Sequence, residues 1–297
     1  MNQIRINDID NLDYLKNLIF QNNIADFEKE INSIVIKGKE DFKEKEILEK
    51  SLYLLDLTTL HNTDNKQDIE KLIENSHFNI NGVEGYVAGL CIFSNLLPIL
   101  NSFNINKDIK KVVVSGGFPT GQMFLNSKLT DISFAIENNA DEIDIPINRG
   151  LFFENRKELE RELIEIKNLI NQANNVKLKV ILETGELQTL KNVYDASMIA
   201  MECGADFIKT STGKISTGAD IYSSAVMMIA IRDFLKKSNN EKLIGFKAAG
   251  GLKNKEQIFA FISLFYFFIS KKYCNKSSFR FGCSNLKNEI INNLKKI

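Results

Sequence analysis

From residue 51 onward the chain alternates short apolar runs with longer amphipathic stretches. Each apolar run is short enough for a buried strand, and a polar turn with a helical pattern follows it. Alternating strands and helices are typical of a parallel sheet. The pattern predicts eight strands, at residues 52–56, 89–93, 111–115, 142–147, 178–183, 206–209, 243–247 and 279–282.

Eight strand–helix repeats between residues 51 and 297 match the usual length of a (β/α)8 TIM barrel. An open, doubly wound sheet is the alternative, but such a sheet commonly carries a GxGxxG turn, which this sequence lacks. The predicted fold class is therefore α/β, a (β/α)8 TIM barrel. Active-site residues of such a barrel are expected at the carboxyl ends of the strands.

Residues 1–50 precede this alternation and predict an extra helical segment. Ile24, Phe27 and Ile31 recur at helical spacing, so we expect two or three amphipathic helices there. These helices are expected to pack on the main body or on a partner subunit, and no chemistry is visible in them. The predicted domains are thus a helical extension, 1–50, and a catalytic barrel, 51–297.

Composition and charge narrow the possible functions. Lys plus Arg equals Asp plus Glu, 38 each, which gives no support for nucleic-acid binding. The four cysteines show no CxxC spacing and only two histidines are present, so we predict neither a metal nor another cofactor. The start lacks the pattern of a secretory signal, and the most apolar run, 258–269, is too short for a bilayer and predicts a buried helix. We therefore expect a cytoplasmic protein with no membrane partner.

Lys209 is the most unusual residue of the predicted strand ends, because it follows the apolar pair Phe207-Ile208. Burying an unpaired ammonium ion is costly, and a buried lysine can escape that cost by losing its proton. A neutral amine in a dry pocket attacks carbonyl carbons and forms a Schiff base. The alternative is a lysine that extends to the rim or pairs with a carboxylate.

Two further charged residues lie at neighbouring strand ends. Lys247 ends the strand after that of Lys209, and parallel strands lie about 5 Å apart, so repulsion should push one lysine towards its neutral form. Asp144 lies two strands back in an apolar context and is expected to move protons or to anchor the second lysine. A purely structural partner for one lysine is the alternative for Asp144.

Glycine-bearing turns follow the last three predicted strands, at Gly213, at Gly250-Gly251 and at Gly282. Backbone N–H groups at such turns bind anions, and barrels often bind phosphate there, although the glycines would also suit tight turns alone. The Gly213-Lys214 pair is not a Walker motif, because Ile215 stands where Ser or Thr is required.

These motifs together resemble deoxyribose-phosphate aldolase, a family of class I aldolases. The resemblance covers about residue 51 to the end and rests on motifs that occur in this order: LDLTTL (55–60), AGLCIF (88–93), GGFPTG (116–121), EIDIPIN (142–148), LKVILETGEL (178–187), GADFIKTSTGK (204–214), GFKAAGGLK (245–253) and FRFGCS (279–284).

The resemblance implies reversible cleavage of 2-deoxyribose 5-phosphate to glyceraldehyde 3-phosphate and acetaldehyde, without a cofactor, in deoxyribose phosphate catabolism. It makes Lys209 the Schiff-base lysine, Lys247 the lysine that lowers its pKa, and Asp144 the proton-relay residue. It also assigns substrate-binding roles, and Thr58 and Thr210 join that set by their place at strand ends. The predicted substrate-binding residues are Asp56, Thr58, Cys91, Thr210, Gly213, Lys214, Gly250, Gly251, Gly282 and Ser284.

The sequence departs from the family pattern at three places. Ala248 replaces a common proline, which should loosen a turn, and Cys283 and Asn285 leave Ser284 as the one serine of that motif, which should weaken phosphate binding. The chain given ends at Ile297 without the tyrosine tail of some members. Proton transfer is therefore expected to depend on aspartate, lysine and water.

Other functions stay open at this stage. They are a different Schiff-base barrel aldolase, either transaldolase-like or with a pyruvate donor, a non-catalytic phosphosugar-binding barrel, and a role in assembly for the N-terminal extension. The expected partners are a small phosphosugar substrate and a second copy of the chain, with a dimer favoured.

Overall fold

The computed structural model describes residue 9 and residues 11–80, 82–173, 175–239 and 242–297. Within them, eight parallel strands hydrogen-bond side by side into a closed barrel, which confirms the predicted (β/α)8 architecture. In chain order the strands of the structure are β1 (Leu55–Thr58), β2 (His77–Ile80), β3 (Val83–Tyr86), β4 (Gly89–Phe93), β5 (Lys110–Val114), β6 (Glu142–Pro146), β7 (Lys177–Ile181), β8 (Phe207–Lys209), β9 (Gly245–Ala249) and β10 (Phe279–Cys283).

Helices surround the barrel and cover the outer face of its strands. Because both faces of the sheet are covered, the strands are buried along nearly their whole length, which explains why they appear as continuous apolar runs in the sequence. The helices are α1 (Leu12–Phe20), α2 (Ile24–Glu40), α3 (Glu44–Leu52), α4 (Lys66–Glu74), α5 (Leu97–Asn101), α6 (Leu125–Glu137), α7 (Arg149–Glu154), α8 (Arg156–Asn171), α9 (Leu190–Glu202), α10 (Ile221–Lys237), α11 (Lys255–Phe268) and α12 (Leu286–Leu294).

Strand boundaries differ from the prediction by up to three residues. The first strand begins at Leu55 rather than at residue 52, because Leu52 is the last residue of α3. β9 continues to Ala249, so Ala248 lies inside a strand and pairs with Phe281 of β10. The expected loosening of a turn at Ala248 is therefore wrong. The antiparallel hairpin of β2 and β3, which was not predicted, lies outside the barrel sheet.

The N-terminal helices pack on one side of the barrel. Phe27, Ile31 and Val35 of α2 are buried, and α2 lies mainly against α11 and also contacts α10. Gly38 permits this close approach, because a Cβ atom there would lie 2.6 Å from Ser263 Cβ. Residues 1–8 and 10 of the predicted extension lie outside the described residues.

Helix α11 corresponds to the most apolar run of the chain, and the prediction of a buried helix there is confirmed. Asn254 caps its first turn by accepting a hydrogen bond from Gln257 N at 3.0 Å. Of the described helices, none combines the length and apolar character needed to cross a bilayer. The start of α11 lies just after a glycine-rich loop at the mouth of the barrel, which is also where the site lies.

Candidate active site

A cavity of about 320 Å³ opens at the carboxyl ends of the strands, between β1, β8, β9 and β10. This is the end of a TIM barrel at which catalytic sites are built. Most of the predicted site residues that follow strand ends come together here. The predicted residues that line the cavity are Thr58, Lys209, Gly213, Lys214, Gly250, Gly251, Gly282 and Ser284.

The three predicted catalytic side chains meet beneath this cavity. Lys209 Nζ lies 3.0 Å from Asp144 Oδ2, and Lys247 Nζ lies 2.9 Å from the same oxygen. Lys247 Nζ also lies 2.6 Å from Asp56 Oδ2. The strand register explains the meeting, because Lys209 and Lys247 are paired positions of β8 and β9.

Three further charged residues, which the sequence analysis missed, complete the cluster. Lys179 Nζ lies 2.5 Å from Glu142 Oε2 and 2.9 Å from Asp144 Oδ1. Arg280 bonds Asp56, and its Nη2 lies 2.8 Å from Glu142 Oε1. All of these side chains are buried. We call this cluster the barrel charge network, and its members are Asp56, Glu142, Asp144, Lys179, Lys209, Lys247 and Arg280.

The network determines the charge of its members. Burial alone would raise the pKa of the Asp144 carboxyl, but Lys179, Lys247 and Lys209 together hold it well below its ordinary value. Burial would lower the pKa of Lys247, yet Asp144 and Asp56 raise it above its ordinary value. Lys247 is therefore not the lysine that the predicted lysine–lysine repulsion would neutralise, and for Lys209 that repulsion stays a prediction.

Lys209 has the fewest carboxylate partners among the cations of the network. Lys179 and Lys247 each contact two carboxylates, whereas Lys209 contacts only Asp144 within the described residues. The network holds four cationic side chains and three carboxylates. Lys209 is therefore the cation that the carboxylates of the network hold least strongly. Lys209 is also the member that reaches the floor of the cavity.

An apolar wall lies on the opposite side of the barrel from the glycine-rich loops. Leu60, Cys91, Val112 and Val114 form a buried cluster of their own, and Phe118 packs against it. Burial raises the pKa of the Cys91 thiol, although the charge of Lys247 acts in the opposite direction. Cys91 is thus an un-ionised part of an apolar surface beside the network.

The glycine-rich loops form the other end of the cavity. Gly213 and Gly250 have φ angles of 79° and 86°, which favour glycine, and a Cβ atom on Gly250 would lie 3.4 Å from the Gly213 Cα atom. Ser284, which lies two residues before α12, lines the same part of the cavity. The Lys214 ammonium donates a hydrogen bond to the Leu60 carbonyl oxygen across the cavity. The loops thus supply backbone donors and a lysine at one place.

Two predicted substrate ligands have other partners in the structure. Asp56 is fully buried and belongs to the charge network. The Thr210 hydroxyl donates to Ala249 O and accepts from Ala249 N, each at 3.0 Å, and so joins the ends of β8 and β9. Both residues therefore support the site from beneath it.

Two residues at the mouth of the cavity were not predicted. Lys253 follows the Gly250-Gly251 turn and lines the cavity with His61. The position of Lys253 directly after a glycine-rich turn is the sequence signal that would have identified it. Among the residues that the structure describes, no group of three or more His, Cys, Asp and Glu side chains is arranged to hold a metal ion.

The chain is similar in sequence to known aldolases. The model of the DeoC/LacD family aldolases matches residues 50–262. The human deoxyribose-phosphate aldolase is 36% identical over 256 residues, which cover 81% of this chain and 78% of the human protein. The mouse deoxyribose-phosphate aldolase is 34% identical over 256 residues, with the same coverage of both chains.

Solved structures share the fold. A crystal structure from Toxoplasma gondii ME49 superposes with a TM-score of 0.73 at 20% identity, over 85% of this chain and 96% of the other. The tetrameric deoxyribose phosphate aldolase from Aeropyrum pernix superposes with a TM-score of 0.61 at 21% identity, over 88% of this chain and 97% of the other.

Proposed function

The chain belongs to the DeoC/LacD family of aldolases, and from this premise we propose that it cleaves 2-deoxy-D-ribose 5-phosphate reversibly to D-glyceraldehyde 3-phosphate and acetaldehyde. The observation that carries the proposal is the position of Lys209. It lies at the floor of the cavity, with one carboxylate partner, in a network that holds one more cation than it holds carboxylates. These conditions favour a lysine that reacts as a free amine.

The proposed reaction begins when Lys209 Nζ attacks C1 of the open-chain sugar. The hydroxyl of the resulting carbinolamine takes a proton from solvent and leaves as water, so that a protonated imine forms between Nζ and C1. The 3-hydroxyl then loses its proton, the C2–C3 bond breaks, and its electron pair moves towards the iminium. The products of this step are glyceraldehyde 3-phosphate and an enamine on Lys209. Protonation of the enamine at C2 and hydrolysis of the imine release acetaldehyde and the lysine.

Asp144 and Lys247 are proposed to assist proton transfer from the 3-hydroxyl and to C2. Because the pKa of Asp144 lies well below its ordinary value, the carboxylate accepts hydrogen bonds and orients water rather than storing a proton. Because the pKa of Lys247 is raised, its ammonium group donates to the same water. Through a water held by these two groups, the proton of the 3-hydroxyl would pass to solvent in the open cavity, and the same water would later deliver a proton from solvent to C2 of the enamine.

The glycine-rich loops are proposed to bind the phosphate. Backbone N–H groups near Gly213, Gly251 and Ser284, with the ammonium groups of Lys214 and Lys253, would surround a dianion at this end of the cavity. The sugar would then extend from the phosphate towards Lys209. Lys214 would exchange its hydrogen bond to Leu60 O for one to the phosphate.

The apolar wall favours an acetaldehyde donor over a pyruvate or ketose donor. A pyruvate donor carries a carboxylate and a ketose donor carries a hydroxyl, and each would need a polar partner near C2. Leu60 lines the cavity and packs with Val112, Val114 and Cys91, whose thiol is a weak donor. A methyl or methylene group suits this surface.

Further parts of the function follow from the proposed reaction. The enzyme would act in the cytoplasm in deoxyribose phosphate catabolism, with a small phosphosugar as its partner and no organic or metal cofactor, because the iminium accepts the electrons. We also propose a homo-oligomer.

Trapping with borohydride tests the proposal directly. Acetaldehyde and sodium borohydride should leave a two-carbon adduct on Lys209, located by intact mass and peptide mapping. The variant Lys209→Leu should lose the adduct and essentially all cleavage activity, because no other amine reaches the floor of the cavity in the described part of the chain. The variant Lys107→Leu, at an exposed position, is the matched control and should keep both.

Four results would contradict the proposal. Adducts scattered over surface lysines would mean that Lys209 is not the nucleophile, and full cleavage activity in Lys209→Leu would mean the same. An adduct with pyruvate but not with acetaldehyde would favour the pyruvate-donor alternative. Phosphosugar binding without any adduct would favour the non-catalytic barrel.

A further inference from the structure

Glu183 is a fully buried carboxylate that the proposed mechanism does not use. It follows β7 closely and has a φ angle of 55°, in the left-handed region that a residue with a side chain rarely adopts. No member of the barrel charge network lies among its hydrogen-bond partners within the described residues. A buried acid in such a backbone conformation needs a specific partner.

The partner of Glu183 is Thr212 in the loop after β8. Thr212 N donates to Glu183 Oε1 at 3.2 Å and to Oε2 at 3.3 Å, and the Thr212 hydroxyl donates to Oε2. Since a carboxylate only accepts hydrogen bonds, it fixes the direction of the Thr212 hydroxyl. The oxygen of that hydroxyl is then free to accept from Lys214 N, which lies 3.1 Å away.

This chain of bonds determines the conformation of the segment 212–214, all of which lines the cavity. The neighbouring bonds have a different role. Leu182 N donates to Lys209 O at 2.9 Å, and Thr184 N donates to Thr210 O at 3.0 Å. These backbone bonds keep the ends of β7 and β8 together whatever side chain occupies position 183. The Glu183 carboxylate therefore affects the segment 212–214, which lies beyond the residues that these backbone bonds join.

We propose that Glu183 is a positioning residue for the phosphate-binding segment 212–214, and that through Thr212 it supports reaction with the phosphorylated sugar without contributing to the chemistry at Lys209. The inference rests on the proposed function, in which this segment binds the substrate phosphate. An anion close to a phosphate would by itself weaken binding through repulsion. The proposal requires that alignment of the segment outweighs that repulsion.

The variant Glu183→Gln tests the proposal, because it keeps the shape of the side chain and removes the carboxylate. Kinetics are compared for 2-deoxyribose 5-phosphate and for unphosphorylated 2-deoxyribose. We expect kcat/KM for the phosphorylated sugar to fall about tenfold to hundredfold, mainly through KM, as for loss of a buried hydrogen bond to a charged group. For the unphosphorylated sugar the change should stay within about twofold.

Two further variants show whether the loss of kcat/KM for the phosphorylated sugar depends on the contact between Glu183 and Thr212. Glu186→Gln removes a carboxylate from the same rim, where Glu186 pairs with Arg149, and should leave the ratio between the two sugars unchanged. Thr212→Val removes the hydroxyl and should reproduce the phosphate-specific loss. Adding Glu183→Gln to Thr212→Val should then have much less effect than Glu183→Gln alone, because contacting residues are not additive.

The outcomes separate the inference from the proposed function. Equal losses with both sugars would assign Glu183 a structural role and overturn the inference. No loss, or a gain, in kcat/KM for the phosphorylated sugar would overturn it as well.

If wild-type protein forms the acetaldehyde adduct on Lys209 but does not cleave the phosphosugar, the proposed substrate is wrong. Calorimetric binding of inorganic phosphate then decides the inference, which requires weaker binding by Glu183→Gln than by wild type. If Glu183→Gln does not fold, the comparison is made with Thr212→Val alone, for which an unchanged sugar ratio would overturn the inference.

Discussion

At the residue scale, the chemistry of the barrel depends on which carboxylate each cation contacts. Asp144 accepts from Lys179 at one oxygen and from Lys209 and Lys247 at the other. Its charge is therefore shared among three amines, of which one is proposed to react. Any change that removes one of the other two makes Asp144 a stronger partner for Lys209.

The variant Lys179→Met should show this dependence. Without Lys179, Asp144 relies on Lys209 and Lys247 alone, so its attraction for the Lys209 side chain is stronger. We expect borohydride trapping of acetaldehyde at neutral pH to slow by about tenfold or more. Breaking a buried ion pair should also lower the free energy of unfolding by about 3–5 kcal/mol.

Lys177→Met is the control for Lys179→Met. Lys177 lies on the same strand, and its half-buried side chain has no ion pair with Glu142 or Asp144 in the described part of the chain. Its replacement should leave the trapping rate nearly unchanged. Wild-type trapping rates in both variants would mean that Lys179 does not influence Lys209.

The sequence predicted Lys209, Lys247 and Asp144 because each stands near the end of an apolar strand. It did not lead to Lys179 or Arg280, which lie deeper in their strands and were overlooked between apolar neighbours. A charged residue inside a strand that is covered on both faces was the available signal, since such a charge must find partners within the barrel. Which carboxylate pairs with which cation depends on strand register and barrel closure, and no local pattern encodes either.

At the element scale, helix α2 covers part of α11 and α10. Ile31 is fully buried in this contact, whereas Ile36 of the same helix is 60% exposed. The amphipathic spacing around Ile31 predicted a packed helix but left its partner open. The structure shows that the partner is the barrel's own outer layer, because Gly38 and Ser263 bring the two helices close together.

The variant Ile31→Ala should measure how much this contact stabilises the fold. Removing a buried isoleucine side chain is expected to lower the free energy of unfolding by about 2–5 kcal/mol, measured by urea unfolding. Ile36→Ala should change it by less than about 0.5 kcal/mol. The kcat/KM of both variants should match wild type, since neither residue lines the cavity. Equal stability of Ile31→Ala and Ile36→Ala would contradict the packing seen for α2.

Element boundaries were less predictable than element identities. The strand expected at 178–183 ends at Ile181, because Glu183 adopts a left-handed backbone that the extended pattern does not reveal. The β2–β3 hairpin was missed since its residues are only partly buried and lack a long alternating pattern.

At the scale of the whole molecule, the alternation of strands and helices was sufficient to predict a closed barrel. Closure brings β1 beside β10, so that charges from both ends of the chain meet in one network. Folding therefore becomes dependent on the ionisation of groups that are distant in sequence. The acid sensitivity of the fold is the measurable result.

The stability of the protein should fall in acid because of Asp56 and Asp144. Both pKa values lie below the ordinary value of 3.8, despite burial, because of Arg280 and Lys247 at Asp56 and of Lys179 and Lys247 at Asp144. A lowered pKa means that the ionised form stabilises the fold. This stabilisation is complete above the unfolded-state pKa and is lost as pH falls towards the folded-state values.

Urea unfolding at fixed ionic strength checks this expectation. The free energy of unfolding should decline as pH is lowered from about 5 to about 3, with most of the slope below the ordinary aspartate pKa. Glu183 contributes in the opposite sense, because burial raises its pKa. A free energy that stays flat or rises over this interval would mean that Asp56 and Asp144 are not held as carboxylates.

The barrel charge network has an odd number of charges, and this number also affects the relative electrostatic free energies of the intermediates in the proposed reaction. With Lys209 as a neutral amine, three cations face three carboxylates. The iminium restores a fourth positive charge in a buried region of low polarity, whereas the enamine removes it again. Imine formation thus raises the electrostatic free energy of the barrel interior, and cleavage of the C2–C3 bond lowers it. The buried charges favour the forward step at the point where the carbon–carbon bond breaks.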